Sequence, residues 1–200
     1  KPYFDLMYET VQSILAKSGH INHKYLKESE SDKKAVIVVT ANRGLAGGYN
    51  SNITRMIIDE GFTKENTVVY AVGKKGRELL ERKGYEIKAD YSEAINGPIY
   101  KDAKEICDDV LSAFADGEVG EIYLAYTVFK NTVVHEPQLI RLLPVEADDA
   151  AHETDGSEAL MTYEPSEEEA LDMIIPKYVC SLVYGALIES VASENGARMQ

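Results

Sequence analysis

The sequence predicts an α/β fold in which a layered sheet of about five strands is flanked by helices. Two observations support this class. Residues 34–40 form a short, β-branched run that is apolar on both faces, which is typical of a central strand in a largely parallel sheet. Further along the chain, apolar strand-like runs alternate with segments whose apolar residues recur every three or four positions, as in amphipathic helices.

The individual elements of this domain follow from the same patterns. After the first strand and a glycine-rich turn, the chain alternates between predicted helices and predicted strands. The helices cover 50–60, 74–83 and 99–115, and the remaining strands cover 67–73, 85–89, 121–129 and 138–145. This order predicts a Rossmann-like sheet domain over residues 34–145. The short link between the fourth and fifth strands predicts that they pair antiparallel at one edge.

Both ends of the chain carry amphipathic helical patterns with a coiled-coil period. Residues 1–18 form the first segment and residues 166–200 the second, which contains Pro176 and is therefore expected to be kinked. Neither outer end shows a capping signal. We expect the two helices to pair antiparallel with each other, as truncated stubs of a longer coiled coil.

The net charge of −13 is unevenly distributed. Residues 145–169 hold ten acidic side chains and no Lys or Arg, whereas the rest of the chain has 21 basic and 24 acidic residues. This balance argues against nucleic acid as a partner. The acidic loop 146–165 is interpreted either as a solvated loop or as a surface that faces a partner protein.

Apolar content is 44%, enough for a packed core, but no uninterrupted apolar run approaches the ~18–20 residues that would span a bilayer. We therefore expect no direct membrane insertion. Cys107 and Cys180 are expected to be two isolated, buried thiols of a reducing compartment. His20 and His23 have no further ligands for a zinc site and are expected to be solvated.

The glycine-rich turn from Arg43 to Gly48 is the first candidate for chemistry, because a strand, a glycine turn and a helix start often bind phosphate. Its spacing matches neither dinucleotide nor P-loop patterns, and the second strand ends at Gly73 rather than at an acid. Two interpretations remain: structural glycines for a tight crossing, or a stand-alone nucleotide-binding α/β enzyme that uses the Gly44–Gly48 turn. No catalytic constellation is evident.

Several segments, taken in order, resemble one family. Residues 40–52 (TANRGLAGGYNSN) are similar to the glycine-rich segment of the gamma subunit of F-type ATP synthases, and residues 184–199 (YGALIESVASENGARM) resemble its C-terminal signature. Shorter matches lie at 130–132, 136–138, 142–144 and 163–165. Asn42, Ala46 and Gly196 depart from the residues that are frequent in the family. The chain thus resembles the central globular part of a gamma subunit, without most of the terminal coiled-coil helices.

The resemblance implies a central-stalk rotor subunit that couples proton translocation through a membrane ring to ATP synthesis or hydrolysis on other subunits. It implies no catalytic, cofactor-binding or metal-binding residues. The implied partners are the epsilon subunit, the c-subunit ring and, through the missing shaft, the alpha and beta hexamer, with a peripheral position on the cytoplasmic side of the cell membrane. The signature residues, for which we expect a packing role, are Arg43, Gly44, Gly47, Gly48, Asn50, Glu189, Ser193, Glu194, Arg198 and Met199. The implied partner surface includes Asp148, Asp149, Tyr163 and Glu164.

Overall fold

The fold is built around a mixed five-stranded sheet with the strand order β3-β2-β1-β4-β5. In the computed structural model the described residues are 2–17, 23–26, 30–44, 47–131, 133–145 and 167–199. Strands β1 to β4 run parallel, and β5 pairs antiparallel with β4 at one edge, as predicted. The strands are β1 (Lys34–Val39), β2 (Thr67–Val72), β3 (Glu86–Asp90), β4 (Glu121–Phe129) and β5 (His135–Leu143).

Helices cover both faces of the sheet, which explains why β1 is apolar on both sides. Val36 and Val38 pack in a core cluster with α2 and α3, whereas Ile37 and its neighbours pack in a second cluster with α4, α5 and α1. The helices are α1 (Pro2–Lys17), α2 (Tyr49–Asp59), α3 (Lys74–Arg82), α4 (Tyr100–Ala115) and α5 (Glu167–Arg198). A 3-10 helix, Ser92–Asn96, was not predicted.

The predicted strand boundaries hold closely except in β5. This strand begins at His135 rather than at Gln138, because His135 already pairs with Phe129 across a tight hairpin. Pro137 lies inside β5. Since β5 is an edge strand, the missing amide of Pro137 removes no bond from a central ladder.

Helices α1 and α5 pair antiparallel, as predicted. The ring of Tyr8 on α1 lies 6.1 Å from the ring of Tyr178 on α5. Beyond the end of α1, His23 Nε2 lies 2.7 Å from Oδ1 of Asp172, which comes before Tyr178 on α5. Later residues of the first segment therefore meet earlier residues of α5, as in an antiparallel pair. Helix α5 continues through Pro176 without interruption. The acidic loop 146–165 lies outside the described residues.

The prediction that His23 is solvated is wrong, while His20 lies outside the described residues. The His23 side chain is 1% exposed, and its Nδ1 accepts a hydrogen bond of 3.1 Å from the Tyr25 amide. An amide can only donate, so the neutral ring carries its proton on Nε2 and donates it to Asp172. The contact partner is 149 residues away in the chain, which no local pattern reveals.

In the described part of the chain, one helix, Glu168–Arg198, is long and apolar enough by composition to cross a membrane. Its apolar side chains have another explanation. Leu171, Ile175, Val179, Val183 and Leu187 are fully buried in the protein core against the sheet and α4. One face of this helix therefore belongs to the protein core.

Two glycines of α5 provide a matched test of this packing. A Cβ atom on Gly185 would meet nothing within 4 Å, whereas a Cβ on Gly196 would lie 2.9 Å from His135 Cε1 and 3.0 Å from Phe129 Cε2. Gly196 thus allows the β4–β5 hairpin to approach the helix. We expect Gly185→Ala to raise the free energy of unfolding by about 0.5–1 kcal/mol through helix propensity.

The Gly196→Ala variant gains the same propensity but must displace two packed rings, at a cost of roughly 1–3 kcal/mol. Urea denaturation of both variants measures the difference, and we expect Gly196→Ala to be the less stable. Equal stabilisation by the two substitutions would show that the hairpin does not pack tightly on α5.

Candidate functional site: a hydrogen-bonded anchor for helix α5

The glycine-rich turn is held in shape by one side chain of α2. Asn50 Oδ1 accepts a hydrogen bond of 2.9 Å from the Ala41 amide, and Asn50 Nδ2 donates one of 3.3 Å to the Arg43 carbonyl. Gly47 has a φ of +57°, a conformation that favours glycine, just before α2 begins. The chain therefore leaves β1 and enters α2 with the carbonyls of Arg43 and Gly44 available to another element.

That other element is the last turn of α5. Arg198 Nη1 donates to the Gly44 carbonyl and Nη2 donates to the Arg43 carbonyl, both at 2.9 Å. Glu194, one turn earlier, accepts from Arg198 Nε at 2.9 Å and lies 2.8 Å from Nη2. Both charged side chains are less than one fifth exposed. The carboxylate thus orients the planar guanidinium so that its outer edge meets both carbonyls.

Three more contacts tie the preceding turns of α5 to the sheet. Glu189 Oε2 accepts from the Phe129 amide at 3.0 Å, and Ser190 Oγ accepts from the Thr127 amide at 3.3 Å. Ser193 Oγ lies 2.7 Å from His135 Nδ1 on β5. We call the five α5 residues that make these bonds the helix anchor: Glu189, Ser190, Ser193, Glu194 and Arg198.

Helix α2 also contacts the anchor through a buried phenol. Tyr49 is 5% exposed, and its hydroxyl donates a hydrogen bond of 2.9 Å to the Ser190 carbonyl. Burial, opposed by this hydrogen bond and assisted by the nearby Glu194 charge, raises the pKa of Tyr49 well above its usual value. The phenol therefore stays protonated and keeps its donor role. The anchor is thus bonded to the turn, to α2, to β4 and to β5.

The electrostatics of this site do not fit phosphate binding. In phosphate-binding turns, free amides point at the ligand, whereas here two carbonyls of the turn point at an arginine. A cleft of about 400 Å³ opens beside the turn. Among its described lining residues Arg198 is the only Lys or Arg, and its guanidinium is already bonded to Glu194 and the turn.

The glycine-flanked turn Gly73–Gly76, where β2 leads into α3, also has its amides bonded within the protein. At the start of α3, the Lys74 amide donates to Asn42 Oδ1 at 2.9 Å, the Lys75 amide to the Ala41 carbonyl at 3.0 Å, and the Gly76 amide to Thr40 Oγ1 at 2.8 Å. A Cβ on Gly73, which has a φ of +124°, would lie 2.3 Å from the Thr40 carbonyl oxygen. These glycines serve close packing of β1 against α3.

The structure brings most of the predicted signature residues together. Arg43, Gly44, Asn50, Glu194 and Arg198 form one hydrogen-bonded group, and Glu189 and Ser193 extend it along α5. Gly47 and Gly48 lie beside it at the start of α2. Met199 does not join the anchor, since its side chain is 79% exposed. The predicted partner-surface residues, Asp148, Asp149, Tyr163 and Glu164, lie outside the described residues.

Sequence reasoning missed three members of this site. Tyr49, Ser190 and His135 were not among the predicted site residues, yet Tyr49 and His135 each make one of the contacts above and Ser190 makes two. The signal available for Tyr49 was its position directly after the glycine turn. In the described residues no group of three or more His, Cys, Asp or Glu side chains could hold a metal ion.

Comparison with known proteins agrees with this description. The family model for ATP synthase matches residues 1–200. The chain is 61% identical over 206 residues to the ATP synthase gamma chain of Lachnoclostridium phytofermentans, a match that covers 100% of this chain and 71% of the relative. It is 37% identical over 214 residues to the sodium ion specific ATP synthase gamma chain of Acetobacterium woodii, covering 99% and 71%.

Among solved structures, the central stalk and c-ring of Tetrahymena thermophila mitochondrial ATP synthase contains a chain of the same fold. Its TM-score is 0.69 at 24% identity, and the match covers 94% of this chain and 83% of that chain. The fold and the anchor define a structural α/β domain that holds one long helix against its sheet. The chain belongs to the ATP synthase family, to its gamma chains.

Proposed function

We propose that this chain is the rotor subunit of the central stalk, and that the helix anchor is the joint through which torque passes between α5 and the α/β domain. The observation that carries this proposal is the set of bonds from Arg198 and Glu194 to the turn, since it fixes the far end of α5 against rotation relative to the sheet. A rotor must transmit force without yielding. Charge-assisted hydrogen bonds from a rigid, largely buried guanidinium suit that requirement.

The chain has no catalytic role of its own in this proposal. The polar groups of the anchor are bonded to the turn, to the sheet and, for Glu194 and Arg198, to each other. The amides at the start of α3 are bonded to Thr40, Ala41 and Asn42. Synthesis and hydrolysis of ATP would then take place on the alpha and beta subunits, which this chain reaches through its coiled coil. The alternative of a stand-alone nucleotide-binding enzyme has no support from the geometry of the turn.

Arg198→Lys tests the torque proposal in the assembled, membrane-reconstituted enzyme. Lysine keeps the positive charge but cannot meet two carbonyls and a carboxylate at once. We expect ATP-driven ion pumping to fall while ATP hydrolysis persists, so that fewer ions are moved per ATP. Arg82→Lys, which changes an arginine that donates to the Glu78 carbonyl on the exposed side of α3, is the matched control and should leave the ratio unchanged.

A pumping-to-hydrolysis ratio that equals the wild-type value in Arg198→Lys would contradict the torque role. So would a parallel loss of both activities in proportion to reduced assembly, because that outcome assigns the anchor to folding alone. Gel filtration of each preparation, with quantitation of the subunits, separates these results.

For partners, we propose the epsilon subunit and the c-subunit ring, at the cytoplasmic side of the membrane and without insertion into it. The concentration of acidic residues in 145–169 supports a protein-facing surface, since the rest of the chain is nearly balanced in charge. Asp148, Asp149, Tyr163 and Glu164 would belong to it.

Titration of purified epsilon into this chain tests the acidic surface. We expect Asp148→Asn combined with Asp149→Asn and Glu164→Gln to weaken binding, with a larger effect at low salt because surface charges are screened as salt rises. The exposed pair Lys104 and Asp108, substituted together, provides a control of unchanged affinity. Identical binding isotherms for the acidic-loop variant and the wild type would remove this surface from the interface.

A further inference from the structure

The inner wall of the cleft beside the glycine-rich turn carries a buried hydroxyl that makes no hydrogen bond within the described part of the chain. This group is Oγ1 of Thr127 on β4, a residue that is 2% exposed. Ala125 and Tyr123, two and four residues earlier on the same strand, pack in the core cluster with α2 and α3. Because side chains alternate along a strand, Thr127 points to the same side, where the cleft lies between α2 and β5.

A buried hydroxyl without a partner needs an explanation, since it costs free energy and native proteins satisfy nearly all such groups. The residue opposite Thr127 on β5 is Pro137, which has no amide to donate. The Thr127 amide is bonded to Ser190 Oγ, whereas the side chain faces the cleft. A hydroxylic molecule that enters the cleft from solvent can complete the bond.

A second polar group with unused bonding capacity lies at the rim of the cleft. Asn52 of α2 is exposed, and its side-chain amide makes no hydrogen bond to the described residues. A Cβ on Gly48 would lie 2.9 Å from Asn52 Nδ2 and 3.1 Å from Asn52 Oδ1. Glycine at position 48 therefore allows the amide of Asn52 to fold back over the start of α2, beside the cleft.

The cleft combines hydrogen-bonding groups with little net charge. Its described lining residues include no Asp or Glu, and the charge of Arg198 is paired with that of Glu194. Val133, Pro137 and Ala197 add apolar surface, and Val133, which is 74% exposed, shows that the rim meets solvent. The volume of about 400 Å³ lies within the range of small-molecule sites, ~300–1,000 Å³.

We propose that this cleft is a binding site for small uncharged polyhydroxyl molecules, of the size of polyols and monosaccharides. One hydroxyl of the ligand bonds to Thr127 Oγ1, and another pairs with the Asn52 amide, which can donate and accept at once. The C–H face of the ligand packs against Pro137 and Val133. The bound molecule links α2 to β4 beside Arg198, so its binding stabilises the folded chain by mass action.

Two-dimensional NMR of the ¹⁵N-labelled chain tests the proposal, with D-glucose, D-ribose, xylitol and glycerol added separately. At a ligand concentration of about 20 mM, a site with a Kd of ~5 mM is mostly occupied. We expect at least one of these compounds to shift the amide signals of Gly48, Asn52 and Thr127 saturably, whereas inorganic phosphate should leave them in place. Shifts caused by phosphate alone, or no saturable shift with any of the four compounds, would overturn the proposal.

Thr127→Val separates ligand binding from folding. The substitution removes a hydroxyl that leaves no partner unpaired, so we expect the urea unfolding midpoint to be no lower than in the wild type, while the Kd rises roughly fivefold to tenfold. Asn52→Ala should weaken binding by a similar factor. Ser112→Ala, an exposed change on α4 at the opposite face of the sheet, is the control of unchanged affinity.

Two results with these variants would also overturn the proposal. Wild-type affinity in both Thr127→Val and Asn52→Ala would place the ligand elsewhere. A clear loss of stability in Thr127→Val would show that the Thr127 hydroxyl is already bonded inside the protein.

Discussion

The contact between the Arg198 guanidinium and the carbonyls of Arg43 and Gly44 is the constraint on which the packing of α5 against the glycine-rich turn and the sheet depends. It joins residues more than 150 positions apart and fixes the position of the Glu194–Arg198 turn of α5 relative to β1. This contact requires α5 to lie close to the turn and to the β4–β5 hairpin, and that closeness explains two nearby features. Gly196 leaves room for the β4–β5 hairpin, and Asn50 uses its side chain to present the turn carbonyls rather than to cap α2.

The sheet serves mainly to hold this contact in place. Strand β1 is central and buried on both faces, so its carboxyl end has little freedom to move. The glycine turn follows directly from that end, and β4, which pairs with β1, meets the anchor through the amides of Thr127 and Phe129. A force applied along or around α5 therefore reaches the central strand β1 and its neighbour β4, which suits the torque-bearing role proposed above.

Much of this fold could be predicted from the sequence, because local patterns reflect burial. The limits of β4 were predicted to the residue, and those of β1 and β2 nearly so, since β1 and β2 are almost wholly apolar and β4 is rich in β-branched and aromatic residues. The site was only partly predictable. The signature residues were identified by resemblance, but their contact partners Tyr49 and His135 come from other elements, and hydrogen bonds between distant segments leave no periodic trace. The burial of His23 was missed for the same reason.

The most direct test of the central claim is a double-mutant cycle between Arg198 and Asn50, which share the Arg43 carbonyl as acceptor. The unfolding free energies of Arg198→Met, Asn50→Ala and the double variant are measured by urea denaturation, with Arg198→Met plus Arg82→Met as the distant control pair. We predict a coupling energy of about 0.5–3 kcal/mol for the first pair, and additivity for the control. Additive losses for Arg198 and Asn50 would contradict the claim that α5 and the turn form one joint.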